Sequence, residues 1–179
     1  MRYADCPTVE VMIDIAATPA AVWQLVTDIE LSSRFSTEAG GADWVDDHHN
    51  NARPTLGARF AGHSSHDAIG TWTTTCTVTG FEVDRLFEWS VTGIDDNVSS
   101  IWRYSIEDLS ELDDLNDGKM RLRYWFQMGP GRGGLNAAID RMPDKEERIV
   151  ARRLAEHEVN MTRMVAGIKE LAESGHGAS

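Results

Sequence analysis

PDKEERIVARRLAEHEVNMTRMVAGIKELAE, residues 143–173, carries Val150, Leu154, His157, Met161, Val165, Ile168 and Ala172 at steps of 4, 3, 4, 4, 3 and 4. That spacing lines one face of an α-helix with a single apolar stripe. Pro143 suits the opening turn, where its missing N–H costs nothing. Asp144, Glu146 and Glu147 follow it, where negative charge meets the positive end of the helix dipole. The stretch predicts a long helix to about Glu173, with 174–179 as a frayed tail. A helix with one greasy side needs a surface to cover, and the residues upstream must supply it.

They read as strands. Val9–Ile15 alternates, with Val9, Val11, Ile13 and Ile15 on one side and Glu10, Met12 and Asp14 on the other. Thr18-Pro19 then gives an N-cap and a first helical residue, and predicts a short helix to about Asp28 with a second helical turn over Ile29–Phe35. Further strands are expected over Ala42–Val45, Leu56–His63, Gly70–Val78, Leu86–Val91, Ser100–Ile106 and Lys119–Met128, with Gly80 as a break or a bulge. Polar loops are expected at 46–54 and 107–118, with Asp117-Gly118 as a turn signal. Gly129–Gly134 (GPGRGG) ends the last strand as a hinge or gate, and Leu135–Met142 can form a short helix. Hairpin-linked strands followed by one long helix predict an α+β domain. In it a curved antiparallel sheet of about seven strands wraps around the C-terminal helix, with two short helices after the first strand. Residues 1–179 read as one domain, its core spanning about 8–173.

Composition narrows the partners. A net charge of −12 repels phosphate backbones and anionic surfaces, and no dense basic patch offsets it, so nucleic-acid binding is not expected. No run approaches the ~18 apolar residues of a membrane span, and the N-terminus lacks a secretory core, which leaves cytoplasm as the expected location. Cys6 and Cys76 show no paired spacing, and Cys76 inside a strand reads as a small buried hydrophobe.

The inward side of the later strands is unusually aromatic. Phe87, Trp89 and Val91 share a side, as do Trp102, Tyr104 and Ile106, and Met120, Leu122, Tyr124, Phe126 and Met128. Glu88, Arg103, Arg121 and Arg123 lie opposite, with Trp125 as a large ring on the polar side. Such a stripe is either a plain core or the wall of an apolar cavity holding a few polar groups. Phe60, Trp72, Thr74, Trp89, Trp102, Tyr104, Tyr124, Phe126, Met128, His157 and Met161 are the candidate ligand-binding residues. His157 is the one titratable group on the inward helix stripe. It reads either as a proton donor, acceptor or ligand anchor, or as a buried histidine bonded to a neighbour. His48-His49 and the HxxH of His63 and His66 have no partner acids at a ligand spacing, so no metal and no cofactor are expected. The letters Ser64, Ser65, His66 and Asp67 do not supply the geometry of a triad.

Four stretches together carry a family resemblance: Val9–Val26 (VEVMIDIAATPAAVWQLV), Leu56–Gly62 (LGARFAG), Ile101–Ile106 (IWRYSI) and Leu154–Ala172 (LAEHEVNMTRMVAGIKELA). The chain resembles the START-like (SRPBCC) superfamily, in its polyketide cyclase/dehydrase and lipid transport group. The resemblance covers Val9 to about Ala172. It implies a helix-grip fold with a deep apolar cavity between sheet and helix, and a lipid, polyketide or other hydrophobic guest. For cyclases of the group it implies polar cavity residues, here matched by Tyr104, Tyr124 and Thr74, with Arg59 and Arg103 on the outward side. Ser64 stands where related sequences often place Asn.

Three functions follow as expectations. The first is non-catalytic carriage of a small hydrophobic molecule, since the inward face is rich in rings and thioethers and poor in acid–base groups. The second is a cyclase or dehydratase using His157, Tyr104 or Tyr124 for proton transfer. The third is a structural or regulatory partner domain with a filled core. A homodimer is compatible with each.

Overall fold

The computed structural model describes residues 1–45, 54–67, 70–109 and 118–175. Residues 46–53 of the expected 46–54 loop, with His48 and His49, most of the loop at 107–118 with Asp117, and the tail beyond 175 lie outside the described residues. Seven strands form one antiparallel sheet: β1 (Thr8–Ile15), β2 (Ala39–Trp44), β3 (Arg59–His66), β4 (Gly70–Glu82), β5 (Leu86–Thr92), β6 (Val98–Asp108) and β7 (Met120–Met128). Their order is β1-β7-β6-β5-β4-β3-β2, so the first strand closes onto the last and every other neighbour is a sequential hairpin partner.

Register follows from side-chain alternation. Across β1 and β7, Val11 faces Tyr124 and Ile13 faces Leu122, while Asp14 faces Arg121 on the other side. The outer face is an ionic ladder. Arg121 Nε donates to Asp14 at 2.7 Å, Arg103 Nε to Glu88 at 2.6 Å, and the Arg103 guanidinium lies 4.7 Å from the Trp125 ring centre. Exposed pairs of this kind are worth roughly 0–1 kcal/mol each, so they pin register more than they stabilise. The inner face is apolar, and fully buried groups such as Ile15, Phe87, Met120 and Leu122 contribute about 1.5–3 kcal/mol apiece.

Gly80 is a bulge. The β4–β5 register shifts between Val78 and Gly80, so Trp72, Thr74, Cys76 and Val78 share the inner side and Phe81 takes the inward place that residue 80 would otherwise hold, opposite Phe87. The strand therefore runs on to Glu82, four residues past its expected end.

Two short helices, α1 (Pro19–Val26) and α2 (Ser32–Phe35), follow β1. Thr18 caps the first, accepting from the Ala21 amide at 3.3 Å. The short helix α3 (Gly134–Arg141) precedes the long helix α4 (Glu146–Ser174). Pro143 sits in a separate 3-10 turn, Pro143–Lys145, closed by the Lys145 amide on the Met142 carbonyl at 2.9 Å, so α4 proper starts at Glu146. Val150, Leu154, Met161, Val165, Ile168 and Ala172 are buried as the stripe requires, with Met164 added to them. Lys169 Nζ on the Asp14 carbonyl (2.7 Å) and Glu173 on the Ala16 amide (2.9 Å) tie the helix end to β1. No helix is long and apolar enough, among the described residues, to cross a membrane.

Two glycines of GPGRGG meet a local demand, Gly131 through close backbone approach and Gly129 through its φ of +77°. The Gly129 amide donates to the Ser99 carbonyl and the Gly131 amide to Val98, both at 2.7 Å, and the Arg132 carbonyl accepts from Ile94 at 2.8 Å. A Cβ on Gly131 would lie 2.7 Å from the Asn97 carbonyl carbon, and one on Gly93 would lie 2.2 Å from the Arg132 oxygen. Tyr3, buried ahead of the expected core, locks the same segment by donating its hydroxyl to the Gly131 carbonyl at 2.7 Å.

Candidate functional site

The inward residues of β5, β6 and β7 meet the N-terminal half of α4 in one cluster of rings. Trp89 and Trp102 face each other across β5 and β6 with nearly parallel rings, centres 6.3 Å apart. Tyr104 and Tyr124 stack at 4.1 Å, and Trp102 lies 4.3 Å from Phe126. Phe60 joins at 6.2 Å from Trp89, with Trp44 against its other side at 5.5 Å. Such rings interact through tilted or offset contacts that fix their positions. The Trp102 indole N–H is spent on Ser100 Oγ at 3.2 Å.

His157 completes the cluster from α4. Its ring stands edge-on to Trp102 at 5.2 Å and tilted against Phe126 at 4.4 Å. Burial pushes its pKa down from the ordinary 6.5 to about 3, helped by the nearby Arg153 charge, so the imidazole is neutral. Among the described residues its ring nitrogens take part in no hydrogen bond, yet no fully sealed side-chain nitrogen or oxygen lacks a partner. The ring is therefore only half-buried, with a donor and an acceptor unspent among aromatic groups. A polar atom of a guest can pair with either nitrogen.

Burial pushes the Tyr104 and Tyr124 phenols well above their ordinary 10, so both stay neutral. The two stacked tyrosines also act on each other electrostatically, Tyr124 raising the Tyr104 pKa further. They can donate hydrogen bonds but cannot serve as bases near neutral pH. His157, with a conjugate acid this strong, is a weak base in the guest-free protein.

Of the sequence candidates, Trp89, Trp102, Tyr104, Tyr124, Phe126 and His157 come together, and Phe60 borders them. Met128 and Met161 are buried in the same core. Trp72 and Thr74 share the inner side of β4 but are only half-buried, Trp72 opposite Ser64 and outside that core and Thr74 opposite Gly62 beside Cys76. Cys76 is buried beside Thr74, and desolvation pushes its thiol up to about 11. Arg59 and Arg103 lie outward as expected, by the strand registers that place them opposite Thr77 and Glu88.

Sequence reasoning missed Arg153 and Glu38. Arg153 lies one turn before His157 on the same flank of α4, and Glu38 lies between α2 and β2. They form a shielded ion pair, with side chains only 14% and 13% exposed. The four-residue step to His157 was a signal for Arg153. Nothing local marks Glu38. On the outer face Asp43, His63 and Thr73 line up, with His63 Nε2 3.0 Å from Asp43 and Nδ1 3.1 Å from Thr73. This is a cross-strand bridge on the solvated side, remote from the ring cluster. Among the described residues no group of three or more His, Cys, Asp or Glu gathers as a metal centre would require.

A family model described as polyketide cyclase / dehydrase and lipid transport matches residues 7–157. Among solved structures, a polyketide-cyclase-like protein of Corynebacterium glutamicum is similar at 28% identity and a TM-score of 0.63, over 94% of this chain and 93% of that one. The di-domain ARO/CYC StfQ of the steffimycin biosynthetic pathway is similar at 14% identity and a TM-score of 0.56, over 94% of this chain and 46% of that one. The Aha1 dimer of Colwellia psychrerythraea is similar at 12% identity and 0.55, over 94% and 98%. The last two likenesses concern the fold alone. No curated protein matches the chain.

Proposed function

The chain belongs to the polyketide cyclase/dehydrase and lipid transport family, and from that premise we propose that it binds and carries a small, largely apolar molecule between its sheet and α4. The observation that carries this reading is His157. It is a neutral imidazole with unspent nitrogens, set among Trp102, Phe126 and their aromatic neighbours. Ligand sites combine apolar walls with a few polar groups that fix orientation, and this arrangement has both. Carriage is preferred to catalysis because the cluster holds no group poised to exchange a proton near neutral pH. Cyclisation is the second reading. It is favoured by neutral phenol donors at Tyr104 and Tyr124 in the same cluster as a proton acceptor, a set that an enolate-like intermediate would use.

The test is to purify the protein from its host, extract it, and identify co-purifying small molecules by mass spectrometry. Carriage expects a chemically unchanged apolar molecule, retained less by His157→Ala than by the unaltered protein. A guest converted to a cyclised product, with turnover lost in Tyr124→Phe while binding persists, would replace carriage by catalysis. Failure to retain any guest, together with failure to bind apolar fluorescent probes, would overturn both.

A further inference from the structure

The polar flank of α4 next to the ring cluster is neutralised with care. Arg153 Nη1 donates to Glu38 Oε2 at 2.9 Å and its Nη2 donates to Glu38 Oε1, a two-pronged grip on one carboxylate. The same Nη1 reaches Glu156 at 3.3 Å, and Arg152 holds the other Glu156 oxygen at 2.9 Å. Two guanidinium groups thus face two carboxylates, and the cluster carries no net charge. Glu38 is itself held in place. Its amide donates to Ser36 Oγ at 3.1 Å and its carbonyl accepts from the Ser65 amide at 2.8 Å. The neighbouring Thr37 hydroxyl donates to Asn160 at 3.2 Å, again on α4.

We propose that the Glu38–Arg153 pair is a specificity element that makes the site beneath α4 accept neutral guests and reject anionic ones. The inference rests on the ligand-binding reading above. A carboxylate or sulfonate entering beside His157 must shed its water. The guanidinium one turn away would repay that cost only if its fork were free, and Nη1 and Nη2 are already held by Glu38, with Nη1 shared with Glu156. The incoming anion would also meet the Glu38 and Glu156 charges. A neutral molecule with a hydroxyl or carbonyl meets no such penalty and can use His157. Removing the Glu38 charge unbalances the cluster by one positive charge and frees a fork suited to oxyanions.

Two fluorescent probes with one skeleton test this: neutral phenylnaphthylamine and its sulfonated relative, anilinonaphthalene sulfonate. Titrations near neutral pH, with near-UV circular dichroism to establish folding, should show the unaltered protein preferring the neutral probe by about 10-fold or more. Glu38→Gln should erase that preference by tightening the sulfonate at least ~10-fold, with neutral-probe affinity changed less than about twofold. Glu156→Gln, at the more exposed edge of the cluster, should shift the preference in the same direction by less, and it decides the matter should Glu38→Gln not fold. An unchanged preference in the folded variant, or equal binding of both probes by the unaltered protein, overturns the specificity role and leaves the ligand site standing. Binding of neither probe overturns the ligand site itself.

Discussion

Acid should unfold this protein partly through His157, by an amount the structure sets. The neutral ring is held in the folded state by burial, which brings its pKa from 6.5 down to about 3, with the Arg153 charge adding to the effect. In the unfolded chain the same ring takes up a proton as pH falls through 6.5. Folded stability is therefore complete above 6.5, falls as pH drops from 6.5 toward 3, and stops falling below that. The full span is 3.5 units, worth at most ~5 kcal/mol, of which about 2 kcal/mol is spent by pH 5. His157→Phe keeps a ring of similar size against Trp102 and Phe126 and does not titrate. Urea unfolding of both proteins at pH 7.5 and pH 5 gives the measurement. The carboxylates whose pKa values are lowered in the fold, Glu156 among them, also weaken the protein in acid, but they act alike in both chains and cancel. The stability of the unaltered protein relative to His157→Phe should fall by about 2 kcal/mol between the two pH values, with unchanged denaturant slopes. A difference that stays constant with pH would show that the ring is protonated, or well solvated, in the folded protein. The neutral-imidazole reading of the site would then be wrong.

Two further outcomes follow from buried geometry. Cys76, with its thiol pushed up to about 11 inside the core, should resist a disulfide-exchange reagent at pH 8 in the native protein while the half-buried Cys6 reacts, and denaturant should release the second thiol; two fast native thiols would contradict the assigned burial. Gly93→Ala would drive its Cβ to 2.2 Å from the Arg132 carbonyl and break the Ile94–Arg132 hydrogen bond, at a cost of about 2–4 kcal/mol by urea melt, and a loss under ~0.5 kcal/mol would mean that the loop yields freely.

Much of the architecture was legible because it is written in periods. The steps of three and four through 150–172 required a helix buried on one side. The alternation in 120–128 required a strand whose even residues face in, whatever their partners. Local chemistry marked the Thr18 cap and the Gly80 bulge. Within Gly129–Gly134, the nearness of Asn97 and Val98 to Gly131 was not legible, because it brings together segments that no local pattern links. Phe81 could be assigned to the inner face only once the bulge had reversed the parity of β4.

The sequence by itself determined which residues turn inward and which helix covers them, since side-chain direction depends on the chain's own repeat. Only the tertiary structure decided what those residues do to one another. It set His157 against Trp102 and Phe126, and that ring-lined setting keeps its imidazole neutral. It also closed Arg153 onto Glu38 across 115 residues of chain. Charge state and pairing depend on distances between segments remote in sequence, and no local pattern encodes those distances.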